Sequence, residues 1–168
     1  ATIVGNSLGG WLALLVAHRR PELVERAVLE NGGAIRGHEE EISLLPRDRA
    51  QAREVMALLR GPAAKPIPGF VLDDVVRAAR VGPLARFAAT ASTMEGYLLD
   101  GRLGEIAAPV DLVWGASDRV FPLDYARRMM AEMPRARLAA LAECGHVPHV
   151  ECPSAFVAAL LPLLGTQP

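Results

Sequence analysis

A serine between two glycines at the seventh position constrains this chain more than any other feature. Residues Ala1–Gly5 form a short apolar run of the kind that ends a buried strand. From Leu8 to Arg20 the residues Leu8, Trp11, Leu12, Leu15 and Val16 recur at helical spacing, and Pro21 marks a stop. Gly5-Asn6-Ser7-Leu8-Gly9 therefore lies on a strand-to-helix turn and has the spacing G-x-S-x-G. Such a turn strains the serine backbone, so the neighbours two residues away on either side are expected to need hydrogen in place of Cβ. The hydroxyl is expected to project above the sheet. The Leu8 amide, at the helix N-terminus, should point to where an oxyanion would develop. The structural alternative is a glycine-rich turn with Ser7 as an N-cap.

The rest of the chain continues the alternation of strand and helix. Ala27–Glu30 reads as a second strand, closed by Asn31-Gly32-Gly33. Residues 36–100 are helical and more polar, with breaks at Gly61-Pro62 and Pro66–Gly69 and candidate helices at Asp48–Arg60, Leu72–Val81 and Leu84–Leu99. Val110–Trp114 and Arg137–Leu141 read as strands, Leu123–Glu132 and Pro153–Leu164 as helices. The pattern predicts an α/β fold with a mostly parallel sheet flanked by helices, interrupted by a helical insertion.

A serine nucleophile needs a base, and a base needs an orienting acid. Among the four histidines, His18 falls late in the first helix and His38 in a polar linker. His146 follows the last strand, at the sheet end where site-forming loops gather. His149 is its local competitor. Asp118 follows the strand Val110–Trp114 and is the candidate acid, with capping of the helix near Leu123 as its structural alternative. Glu30 is the alternative acid, and Asp111 falls mid-strand. The expected constellation is Ser7, Asp118 and His146, with Leu8 as oxyanion donor and Asn6, Asn31 and Val147 as substrate contacts. The order Ser, Asp, His is that of one hydrolase class.

Lys+Arg number 18 and Asp+Glu 19, so no basic footprint for nucleic acid or a polybasic membrane surface is expected. No apolar stretch approaches the roughly 18 residues of a membrane span, and because Ala1–Gly5 runs straight into the glycine turn no secretory leader is expected. Two cysteines make no disulfide framework, so reduced thiols in a cytoplasmic protein are the expectation. Cys144, His146, His149 and Cys152 have the residue types for zinc, but the histidine loop explains them better and no metal or organic cofactor is expected. Phe70, Val71, Leu72, Met94 and Leu98 either face substrate or pack the helical insertion.

Three segments together resemble the α/β-hydrolase fold from its nucleophile elbow onward: Val4–Gly10, Val113–Asp118 with Pro122, and Cys144–His146 with Glu151-Cys152-Pro153 and Phe156. The resemblance implies a core of residues 1–35 and 101–168 and a helical cap of 36–100. It implies a serine hydrolase acting on a small-molecule carboxylic ester or related carbonyl, for which a homo-oligomer is compatible. Within the family, Gly5–Gly10, Leu103–Ile106 and Cys144–His146 resemble meta-cleavage-product hydrolases, which split C–C bonds; those enzymes usually carry tryptophan where Val147 stands. A non-catalytic or truncated remnant is the third reading. The family places strands before the elbow, so the chain reads as the C-terminal portion of a larger domain with one flank of its first strand uncovered.

Overall fold

The structure is a computed structural model describing residues 1–37 and 44–164. His38 and the start of the polar linker lie outside the described residues. Four strands, β1 (Thr2–Asn6), β2 (Arg26–Glu30), β3 (Val110–Gly115) and β4 (Arg137–Leu141), form one parallel sheet in the order β1-β2-β3-β4. Asn6 pairs with Glu30, Glu30 with Val113 and Gly115 with Leu141, so the four C-terminal ends lie together. Among the described residues β1 pairs only with β2 and sits at one edge of the sheet.

Side chains alternate across this sheet with the period of two that a strand imposes. Ala27, Leu29, Val110, Leu112 and Trp114 meet Leu14 and Ala17 of α1 (Leu8–Arg19) and Tyr125 and Met129 of α6 (Leu123–Glu132). Val28 and Val113 face the other way, onto Leu141, Cys144 and Phe156 of α8 (Pro153–Leu160). Helices on both faces leave β2 and β3 buried almost throughout, which explains their near-continuous apolar sequences.

Between β2 and β3 the described residues form α2 (Arg49–Leu59), α3 (Gly69–Val81), α4 (Pro83–Ala88) and α5 (Ala91–Met94), with no strand among them. Asp48 caps α2 by accepting from Gln51 N at 2.9 Å. The expected single helix Leu84–Leu99 is broken. Thr90 Oγ1 donates to Phe87 O and Thr93 Oγ1 to Thr90 O, so hydroxyls take up helix carbonyls at the break. The expected helix Pro153–Leu164 also ends early, at Leu160, because Pro162 has no amide to continue the ladder. A four-residue helix, α7 (Pro148–Glu151), was not expected.

The segment after β2 is anchored from α6. Tyr125 Oη accepts from Ala34 N at 2.9 Å and Ile35 N at 3.0 Å and donates to Ile35 O at 2.6 Å. Burial raises the phenol above its ordinary pKa of 10.0, against the smaller opposing effect of these backbone bonds.

Asp111, expected mid-strand, is the second residue of β3 and is 2% exposed. Arg26 reaches it from β2, and Arg137 from β4 donates to Oδ1 at 2.6 Å. One buried carboxylate thus ties three neighbouring strands together at the end of the sheet remote from Ser7. Removing it strands two guanidinium groups, although both reach solvent, so the penalty falls below the roughly 3–5 kcal/mol of a fully buried broken pair. Asp111→Ala is expected to lower the unfolding free energy by about 2 kcal/mol in urea titration. An unchanged midpoint would show that the two arginines do not depend on it.

Candidate active site

Ser7 occupies the junction of β1 and α1 with φ 51° and ψ −118°, a conformation that L residues other than glycine adopt only under constraint. Its amide donates to Glu30 O at 3.0 Å, and its carbonyl accepts from Gly10 N at 3.0 Å and Trp11 N at 3.3 Å. The backbone therefore supplies the constraint from both sides. Ser7 stands at the N-cap position of α1, but its side chain makes no capping bond there. Leu8 is the first residue of α1.

The requirement for glycine is less symmetric than the spacing suggests. A Cβ on Gly5 would stand 2.2 Å from Gly9 O, and one on Gly10 2.7 Å from Gly32 Cα, whereas one on Gly9 would meet nothing within 4 Å. The close approach thus needs hydrogen at Gly5 and Gly10, not at Gly9. Gly5→Ala is expected to destabilise the protein severely, by several kcal/mol. Gly9→Ala, within a helix, should stabilise it slightly, by up to about 1 kcal/mol. Thermal melts of the two variants test this; equal losses would refute the asymmetry.

Asp118 lies on the turn after β3, and His146 on the loop after β4. His146 Nδ1 and Asp118 Oδ2 are 2.8 Å apart, both groups being buried. Asp118 Oδ1 accepts from Val120 N at 2.8 Å and Phe121 N at 3.1 Å. Asn31 Nδ2 donates to Asp118 Oδ2, and Asn31 Oδ1 accepts from Gly115 N at 3.1 Å. The carboxylate thus has four donors, and with Nδ1–H committed to it the imidazole presents Nε2 as acceptor. Phe121 packs against His146 with ring centroids 5.7 Å apart.

Ser7 and Leu8 line a cavity of about 470 Å³ together with Trp11, Pro83, Phe87 and Phe121. Its walls are apolar, and they come from both the sheet end and the helices between β2 and β3. None of Phe70, Val71, Leu72, Met94 and Leu98 lines it: Phe70 is 74% exposed, and Leu72 is buried beside a different cavity. Sequence periodicity carried no signal for Pro83 and Phe87, which reach the cavity through the break after α3.

The three expected substrate contacts stand elsewhere. Asn31 is fully buried, at φ 48°, and both ends of its amide are engaged with Asp118 and Gly115. It positions Asp118 and lines neither the Ser7 cavity nor the larger one beside Asp118. Asn6 Nδ2 donates to Glu30 O at 3.1 Å and His146 O at 3.0 Å, tying β1 and β2 to the histidine loop. Val147 is the residue that precedes α7 and does not line the Ser7 cavity.

The two competitors weighed from the sequence pair with each other. Glu30, buried on β2, accepts from His149 N at 2.8 Å and lies 2.8 Å from His149 Nδ1. Glu30 is therefore not the partner of His146. The reduced-thiol expectation is also corrected. α7 folds the chain back, bringing Cys144 and Cys152 to a Cα separation of 6.1 Å, and the two sulfurs are bonded. The bridge spans the loop carrying His146, removes both thiolates from the zinc reading, and takes away the thiol argument for a cytoplasmic protein. Among the described residues no helix is long and apolar enough to cross a membrane.

The family model for the alpha/beta hydrolase family matches residues 1–160. A protein named 2-hydroxy-6-oxononadienedioate/2-hydroxy-6-oxononatrienedioate hydrolase from Cupriavidus pinatubonensis is 29% identical over 97% of this chain and 61% of its own length. An uncharacterised protein of Mycobacterium tuberculosis is 28% identical over 93% of this chain and 53% of its own. The crystal structure of a bacterial membrane phospholipase A superposes with a TM-score of 0.79 at 25% identity, covering 96% of this chain and 55% of that one. The chain thus spans little more than half the length of the relatives it matches.

Proposed function

The chain belongs to the alpha/beta hydrolase family, and on that premise we propose that it carries the nucleophile, acid and base of a serine hydrolase acting on carboxylic esters or related carbonyl compounds. The observation that carries the reading is the buried His146–Asp118 pair at 2.8 Å, on a loop whose His146 carbonyl is held by Asn6, the residue next to a strained serine whose hydroxyl is not used in capping its helix. His146 Nε2 takes the Ser7 proton as Oγ attacks the carbonyl carbon. Asp118 holds the tautomer and steadies the imidazolium that forms. The Leu8 amide donates to the developing oxyanion. Collapse of the tetrahedral adduct expels the leaving group, which receives the proton from His146. Water, activated by the same imidazole, then releases the acyl group from Ser7.

The apolar walls favour an acyl chain or aromatic body over a charged one, and a volume of about 470 Å³ suits a small-molecule substrate. The helices of residues 36–100 act in this reading as a cap, with Pro83 and Phe87 as its contribution to the substrate cavity. A second reading, hydrolysis of a C–C bond in a ring-fission product, is favoured by the relative from Cupriavidus pinatubonensis.

A fluorophosphonate probe is expected to label the protein at Ser7, and Ser7→Ala should abolish labelling. Labelling that survives Ser7→Ala would sink the assignment. Turnover of a coloured dienoate without turnover of p-nitrophenyl esters would select the second reading.

A further inference from the structure

A larger cavity, of about 920 Å³, lies on the other side of the Asp118 turn. It is bounded by α2, by the stretch from Gly61 to Ile67, and by Ala116–Arg119, and it shares no lining residue with the Ser7 cavity. Four cations line it: Arg53, Arg60, Lys65 and Arg119. Arg60 donates to Lys65 O at 2.8 Å and Arg119 to Ala57 O at 3.3 Å, which commits one N–H of each. None of the four forms an ion pair among the described residues.

The nearby acids among the described residues do not neutralise them. Asp118, the one acid in the lining among the described residues, has its oxygens filled by Asn31, His146, Val120 and Phe121. Glu151, in the adjoining hollow beyond Arg60 and Lys65, accepts from Gly61 N and Val147 N, and Glu143 beside it is exposed. A chain of net charge −1 has thus gathered four positive groups around one concave surface. Met56, Ile67 and Leu72 give the same surface an apolar side.

We propose that this cavity is a second binding site, for a small organic anion carrying carboxylate or phosphate groups on an apolar body. The planar guanidinium groups suit bidentate pairing with such oxygens, and the apolar wall accepts the rest of the molecule. The inference does not rest on Ser7 chemistry. An occupant would touch the turn that carries Asp118. The anion is either a ligand in its own right or the acidic arm of a substrate, and the two are separable by where binding is lost.

Calorimetric titration with phthalate, an aromatic dianion, and with phthalamide, its neutral counterpart, tests the proposal on the folded chain. Arg53→Gln/Lys65→Gln removes two exposed cations whose side chains make no hydrogen bond among the described residues, and Arg47→Gln/Arg86→Gln makes the same charge change outside the cavity. Phthalate is expected to bind saturably at low ionic strength. The first pair should weaken it about tenfold or more, and the second pair little. Salt at about 1 M, which screens charges beyond about 3 Å, should also weaken it, and phthalamide should not bind. Retention of binding in Phe87→Glu, which places a carboxylate in the Ser7 cavity, would mark a separate ligand site; a loss there as well would mark the acid arm of a molecule spanning both cavities. No binding, equal loss in both double variants, or loss in Phe87→Glu alone would overturn the proposal.

Discussion

A carboxylate sealed from water must have its oxygens filled by protein donors, and at Asp118 meeting that demand organises the whole end of the sheet. The donors come from three places: the Asn31 amide beyond β2, the Val120 and Phe121 amides of its own turn, and the His146 ring beyond β4. Filling the carboxylate therefore brings three strand ends into register. The same turn supplies Phe121 to the wall of the Ser7 cavity and Arg119 to the rim of the cationic one. One polypeptide turn thus separates two cavities of opposite character.

The histidine loop is held independently at several points. His146 N donates to Leu59 O at 3.0 Å, and His146 O accepts from Asn6, so α2 and β1 both grip its backbone. Glu30 grips the following turn through His149, while the Glu30 carbonyl receives the Ser7 amide. Glu30 therefore connects the serine turn to the histidine loop without facing either reactive atom. The bond between Cys144 and Cys152 closes the same loop covalently. Positioning of the imidazole is distributed over groups that never meet a substrate in the proposed mechanism.

Much of this was legible in the sequence. The apolar run before Gly5 and the helical spacing after Leu8 placed Ser7 on a strand-to-helix turn, and the strand before Asp118 placed that residue at the same sheet edge. Period and turn chemistry are local, so they survive without knowledge of neighbours. What failed depended on strand adjacency. Asn31-Gly32-Gly33 looks like a turn, and only the neighbouring position of β2 and β3 reveals that Asn31 reaches Asp118. Glu30 and His149 were each weighed as stand-ins for the pair at His146, because spacing cannot tell which carboxylate faces which ring. The demand for glycine fell on Gly5 and Gly10 instead of Gly5 and Gly9, since the second clash is with Gly32, remote in the chain. The thiols were read as free because a four-residue helix too short for periodicity brings them together.

The proposed proton transfer depends on a neutral imidazole with its proton on Nδ1, directed at Asp118, and with Nε2 open to accept the Ser7 proton. Nitrogen-15 NMR of the histidine rings, above the pH at which the imidazoles lose their charge, tests this directly. The predicted result is a His146 ring in the Nδ1–H tautomer with a slowly exchanging proton coupled to Nδ1, lost in Asp118→Asn. A His146 ring with its proton on Nε2, or a spectrum unchanged by Asp118→Asn, would contradict it.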